Sequence, residues 1–337
     1  MTHSQHSAER PAWIAEQTRQ LLTQRGHAWL LQGPSGLGQY RLALDLARAW
    51  LCEHPNSEGA CGACASCHAI DVRTHADLYV LMPETTALER GWPLSEKAQT
   101  DIDDKKRKAS REIRVDAMRD AVEFSQRTSA RGVGKVVLVF PAEQMNTITA
   151  NALLKTLEEP PGDVRFVLAT ESVHQLLPTI RSRCLSHAML WPQETQSLLW
   201  LQNQGVPAVV APQLLRLAGG RPDDAIDNFR CQGDAGQRSG LPQAMARGDV
   251  SYFKDWSVLH MVDALQMLCH DTMVLHAGAA PRFFTPGELA AGASWASLSQ
   301  WSSALIRTRR TMEHPFNAGL MQEALVAQAK SALNSRL

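Results

Sequence analysis

Short apolar runs alternate with longer stretches in which apolar residues return at helical spacing. HAWLLQ (27–32) reads as a buried strand that feeds a glycine-rich turn. QYRLALDLARAWL (39–51) reads as the helix after it, with Leu42, Leu46 and Ala49 recurring on one side. DLYVLMP is a second strand, ending at Pro83. REIRVDAMRDAVEFSQ (111–126) has the helical period, with Ile113, Met118 and Val122 among its apolar positions. GKVVLVF (134–140) is the clearest buried strand. NTITANALLKTLEEPP is a helix capped by Asn146 and stopped by Pro160 and Pro161, and RFVLAT (165–170) is another strand. Strands alternating with helices predict a mainly parallel sheet covered on both faces.

One stretch breaks the rhythm. Residues 84–110 are polar, charge-dense and non-periodic, which predicts a mobile surface insertion whose KKRK (105–108) is a solvated charge run. After 191–194 the strand signal fades and helices dominate. CQGDAGQRSG (231–240) reads as a linker. The expected plan is an α/β domain over 1–190, a small helical piece over 191–232 and a helical C-terminal domain over 238–337. The histidines His260, His270 and His276 lie on helical patterns, where packed or solvated roles outweigh metal binding. RTRR (307–310) reads as a solvated helix end.

Composition narrows the function. The 337 residues are 44% hydrophobic, and 34 Lys plus Arg balance 34 Asp plus Glu, so overall charge gives no support to nucleic-acid binding. The opening residues carry no signal-peptide core, and no run approaches the roughly 20 apolar residues of a membrane span. A cytoplasmic protein is the expectation. Of seven cysteines, Cys52, Cys61, Cys64 and Cys67 form C-x8-C-x2-C-x2-C. Thiolates two residues apart can turn onto one tetrahedral Zn²⁺, and four of them close its shell, which makes a structural site at about 52–67. Open alternatives are an iron–sulfur-like run, His54 or His68 as substitute ligands, four free thiols, or a DNA-reading finger. No basic recognition helix follows to support the last.

The turn at Gly33 raises a different chemistry. Gly33 and Gly38, with Gly36 between them, fit the phosphate-loop pattern G-x-x-x-x-G-K-[ST], but Gln39 and Tyr40 stand where the lysine and the hydroxyl belong. The lysine supplies charge at the β/γ-phosphates, and the hydroxyl holds Mg²⁺. The strand KVVLVF should end in acidic residues that bind the metal, yet Phe140 and Pro141 occupy that end, and Glu143 comes too late. Two parts of one reaction centre are missing, so this loop is expected not to support ATP hydrolysis.

NALLKTLEEPPGDVRFVLAT followed by LLPTIRSRC, together with the cysteine cluster and the altered loop, resembles the clamp-loader branch of the AAA+ proteins in its bacterial DNA polymerase III form. The resemblance runs roughly from Trp29 to Ile226. It implies an α/β AAA+ P-loop-type domain carrying the zinc module, with the same four cysteines as ligands, then a small helical lid and an all-α collar that joins subunits. It also implies that Arg183, framed by Ser182 and Cys184, is an arginine finger completing a neighbour's ATP site. Such a finger supplied in trans is worth roughly 10³–10⁵ in rate. Arg181 is a nearby competitor, and the plain alternative for Arg183 is a surface pairing with a carboxylate at a helix end. A nucleotide-sensing arginine of the lid falls on Asp223, a third loss. The implied partners are ATPase subunits of the gamma/tau kind, a delta subunit, the beta sliding clamp and primer-template DNA. The implied role is that of a non-catalytic subunit of a DNA-directed DNA polymerase holoenzyme, a nucleotidyltransferase. An active ATPase with an unorthodox loop and a stand-alone zinc-dependent DNA-binding module are the competing readings.

Overall fold

A computed structural model describes residues 10–232, 240–254, 256–289, 292–311 and 317–335. The chain separates into two compact units, Met1–Asn203 and Gln204–Leu337. In the first, β1 (Ala28–Gln32), β2 (Leu78–Leu81), β3 (Lys135–Val139), β4 (Val164–Thr170) and β5 (Leu185–Ala188) form one sheet in the order β2-β3-β4-β1-β5. Every pairing is parallel. Trp29 lies opposite Val167 on one side and Leu185 on the other, and Lys135 lies opposite Val164. All five residues of β3 are buried, as a strand covered on both faces requires.

The helices of this unit are α1 (Ala12–Leu22), α2 (Gln39–Leu51), α3 (Ala65–Asp71), α4 (Glu84–Arg90), α5 (Glu96–Asp103), α6 (Val115–Gln126), α7 (Thr147–Glu158), α8 (Pro178–Arg181) and α9 (Glu194–Asn203). Alternation along the strands divides the core. Leu30, Val137, Val139, Phe166 and Leu168 bury against Met118 of α6, Leu153 and Leu157 of α7, and Ile180 of α8. Leu31, Val136, Leu138 and Val167 are buried as well, and α2, with Leu42 and Leu46 fully inside, packs on β3 and β4. The expected cap of α7 is present, since Asn146 Oδ1 accepts from the Thr149 N–H at 3.0 Å.

Residues 84–110 depart from the expected mobile loop. They hold α4 and α5, and their base is closed by Glu84, whose carboxylate accepts from Arg107 Nη2 and from the Ser110 N–H, both at 2.8 Å. Burial alone would raise the Glu84 carboxyl, but Arg107 and the Ser110 N–H hold it below the usual range. Arg107 also lies 3.7 Å from Asp101. KKRK is therefore not a wholly solvated run: its arginine is a structural tie. This order comes from polar contacts between distant residues, which apolar periodicity does not register.

The second unit is helical in its described residues: α10 (Ala211–Leu217), α11 (Pro222–Gln232), α12 (Leu241–Arg247), α13 (Val258–His276), α14 (Trp295–Thr311) and α15 (Ala318–Leu333). The linker expected over 231–240 lies mostly outside the described residues, and α11 continues to Gln232. The broad apolar faces of α13, α14 and α15 bury one another, with Leu265, Leu268, Leu298, Trp301, Leu305 and Val326 inside. His270 pairs with Asp271 and His276 stacks on Trp295, both non-metal roles. Arg309 pairs with Asp263, so RTRR is more than a solvated end. No described helix is long and apolar enough to cross a membrane.

Asp271 is the polar keystone of this unit. Fully buried on α13, it accepts the backbone N–H groups of Arg282 (3.1 Å), Phe283 (2.5 Å) and Phe284 (2.8 Å). Asp271→Ala leaves these donors without an acceptor and is expected to cost about 3 kcal/mol, read as a lower thermal unfolding midpoint of the chain. Asp271→Asn, which keeps one acceptor oxygen, should fall between.

Candidate functional site

β1 ends at Gln32, and the loop leaves it where Gly33 N–H donates to Thr170 C=O at 3.3 Å. A β-carbon at Gly33 would come within 2.9 Å of Met189 Cβ, so this position has room only for glycine. Gly38 caps α2 at φ 92°, in the left-handed region. The strand, the glycine turn and the helix N-terminus of a phosphate loop are thus all formed. What fills the loop is different. Gln39 is 2% exposed, and its Nε2 donates to the carbonyls of Gly33 (2.8 Å) and Pro34 (2.6 Å), so its donors are used up on the loop itself.

Tyr40 joins an aromatic cluster beside the loop. Its ring lies 5.4 Å from that of Phe140, and its hydroxyl accepts from Trp92 Nε1 at 2.5 Å. The Arg90 guanidinium sits 4.5 Å from the Tyr40 ring centre and 5.1 Å from that of Phe140. This cluster spans the gap from the start of α2 to the end of β3, where an active loop holds its metal-bound phosphate. Pro141 follows Phe140 at the strand end. Glu143 is engaged elsewhere, accepting from Thr170 Oγ1 at 2.7 Å and from the Glu171 N–H at 3.0 Å. Asp223 stands in the first turn of α11, where the helix dipole favours a carboxylate. Sequence reading missed Trp92 and Arg90. The available signal was a single large aromatic residue inside an otherwise polar stretch.

The other end of α2 carries the cysteines. Cys52 follows the last residue of α2, and Cys64 caps α3. Cys52 Sγ lies 3.8 Å from the Sγ atoms of both Cys64 and Cys67, and the four sulfurs of Cys52, Cys61, Cys64 and Cys67 are all within 4.8 Å of one another. A tetrahedral ion with metal–sulfur bonds of about 2.3 Å has edges of about 3.8 Å, so the cluster fits one ion with a closed shell. Backbone N–H groups point at the sulfurs: His54 (3.4 Å) and Cys61 (3.2 Å) at Cys52, and Cys67 (3.4 Å) at Cys64. Such donors favour thiolates. Neither His54 nor His68 belongs to the group, the one ligand cluster among the described residues. The module is tied to the sheet by Ser66, which donates to Leu51 C=O at 2.5 Å and lies 2.6 Å from His75 Nε2. His75 Nδ1 in turn accepts the Asp77 N–H at 3.1 Å.

Arg183 lies in the turn after α8. Its Nε donates to Glu158 Oε1 at 2.6 Å, and Nη2 reaches the same oxygen. Nη1 donates to Thr179 C=O at 2.9 Å and to Ser182 Oγ at 3.2 Å. The plain alternative, pairing with a carboxylate at a helix end, is what the free chain displays, since Glu158 is the last residue of α7. Cys184 packs against the core, and burial pushes its thiol up to about 12, so it anchors the turn. Arg181 is exposed, and no ion pair engages it among the described residues. Arg183 precedes β5 and Glu158 precedes β4, whereas the phosphate loop comes after β1. In a parallel sheet these are opposite edges, on the order of 15–20 Å apart over a strand of this length.

The closure of the loop has a titration signature. Burial holds the Tyr40 phenol above its ordinary 10, against smaller lowering effects from Trp92, Arg90, Arg73 and Arg41. Because the folded value is the higher one, the stability this phenol contributes is full below 10 and is lost as pH rises through the raised value. The ultraviolet difference titration between the wild type and Tyr40→Phe is expected to have its midpoint above 10. A midpoint at or below 10 would mean that the cluster is open to water.

A family model described as DNA polymerase III, delta subunit, matches residues 14–190, over half of the chain. The chain is 41% identical over 201 residues to the DNA polymerase III subunit delta' of Pseudomonas aeruginosa, covering 59% of this chain and 54% of that protein. It is 36% identical over 224 residues to the Escherichia coli subunit delta', covering 65% and 59%. Against the subunit delta' of Yersinia pestis it is 31% identical over 252 residues, covering 71% and 67%. The match to the first two relatives therefore spans little more than half of their length. With the family model matched over the sheet, the loop and the cysteine module, the chain belongs to the DNA polymerase III delta' family.

Proposed function

We propose that this chain is a non-catalytic member of the DNA polymerase III clamp loader that lends Arg183 to the ATP site of a neighbouring subunit of the gamma/tau kind. Through that contact, and in company with a delta subunit, it helps to place the beta sliding clamp on primer-template DNA in the cytoplasm. The observation that carries this reading is the separation of the two edges. Arg183 stands too far from the chain's own phosphate loop to serve it, while that loop is filled by Gln39 and Tyr40. A guanidinium kept at the surface beside a hydroxyl and a carboxylate is placed to meet a phosphate presented from outside. Residues 191–232 would form the lid, and 238–337 the collar through which the subunits join. The four cysteines would hold one Zn²⁺ that braces the excursion between α2 and β2 without taking part in chemistry. Hydrolysis on the chain's own loop has no support in this geometry.

Two measurements test this reading. Arg183→Ala should leave folding and assembly intact but lower ATP turnover of the reconstituted loader with clamp and primed DNA, the affected interface losing about 10³-fold. Unchanged turnover would overturn the assignment, and Arg181→Ala run alongside separates the two arginines. Metal analysis of the purified chain should return about one Zn per chain, with Cys64→Ser losing both metal and thermal stability. Iron, or no metal after gentle purification, refutes the zinc module.

A further inference from the structure

The contacts of Arg183 give a role to its carboxylate partner. We propose that Glu158 is the positioning residue of the finger: it parks Arg183 in the absence of a triphosphate and gives it up when one arrives, an inference that rests on the proposed finger role of Arg183. Three features support it. Arg183 is largely engaged in the free chain: four of its five guanidinium N–H groups are used, Nε and one of Nη2 on Glu158 and both of Nη1 on Thr179 C=O and Ser182 Oγ, which leaves a single Nη2 N–H. A phosphate can therefore take the forked, two-donor contact through Nε and Nη2 only by displacing Glu158.

The parking contact is also shallow. The side chains of Arg183 and Glu158 are 31% and 48% exposed, so water screens the pair and re-solvates Glu158 once it is released. Glu158 ends α7, where the negative end of the helix dipole works against a carboxylate. The contact thus biases the arginine only a few-fold, enough to hold it without a rival and too little to withstand a triphosphate of higher charge. Finally, the site for the carboxylate is built rather than accidental. Pro160 and Pro161 follow the C-cap Glu159 and stop α7, Cys184 packs the opposing turn against the core, and α7 and α8 are in contact.

The test is made in the reconstituted loader. Glu158→Gln keeps the shape of the side chain and removes its charge. It should raise ATP turnover without clamp or DNA by about 3- to 10-fold, leave the clamp- and DNA-stimulated rate and the KM for ATP unchanged, and so lower the stimulation ratio. In an Arg183→Ala background the same change should do nothing, which separates action through the arginine from a general loosening of the fold. An unchanged or reduced basal rate in Glu158→Gln, or a rise that persists without Arg183, overturns the parking role. If Arg183→Ala alone leaves stimulated turnover unaltered, the finger reading itself fails, a different result from the failure of Glu158 only. Glu158→Asp, still charged but one methylene shorter, guards against a Gln variant that does not assemble. It should move the basal rate in the same direction by less, and a basal rate equal to the wild type would count against the proposal.

Discussion

Every strand of the sheet points the same way, so segments that leave a strand and segments that enter one are held a strand's length apart. That constraint organises the first unit. Along the carboxyl edge lie the phosphate loop, the end of β3 and the segment after β4, and there Gln39 bonds the loop's carbonyls, Tyr40 packs on Phe140 and accepts from Trp92, and Glu143 accepts from Thr170 and Glu171. Along the amino edge lie Glu158 and Arg183, charged and half in water. At one edge side chains are turned onto one another and onto the loop's own carbonyls, and at the other an ion pair stands partly in water.

The filled edge shows how a small change of residue type alters what a given backbone shape can do. The loop retains its glycine turn and helix N-terminus, which is the geometry that attracts anions. An amide stands in place of the ammonium and bonds the loop's own carbonyls, and a phenol in place of a short hydroxyl packs on Phe140 and accepts from Trp92. Arg90 remains cationic but lies over two aromatic rings rather than towards a phosphate. The insertion joins this cluster through Trp92 and Arg90, so it works as packing and not as a loose excursion.

Much of this was legible in the residues themselves. β3 could be read because a strand buried on both faces is apolar throughout, and α7 because Asn146 and the two prolines mark its ends. The four thiols were visible from spacing alone, and the altered loop from Gln39 and Tyr40. What escaped were contacts between residues far apart in the chain: Tyr40 with Trp92, 52 positions on, and Glu84 with Arg107, 23 on; a carboxylate at a helix end was an open partner for Arg183, but not its identity as Glu158, 25 positions before it. Periodicity is a property of a short window, and it does not reveal which polar residue will find which. The arginine of KKRK and Arg309 were therefore read as solvated, although each is paired in the fold.

α2 links the two features of this unit that are otherwise unrelated. It starts at the aromatic cluster through Tyr40 and finishes at the cysteine group through Cys52, a span of about 20 Å at the usual helical rise. Terminal turns of a helix ordinarily fray and absorb a displacement before it travels. In α2 the first turn is held by the packing of Tyr40 on Phe140 and the residue after the last turn by the sulfur cluster of Cys52, so both tips of the rod carry tertiary contacts that oppose fraying.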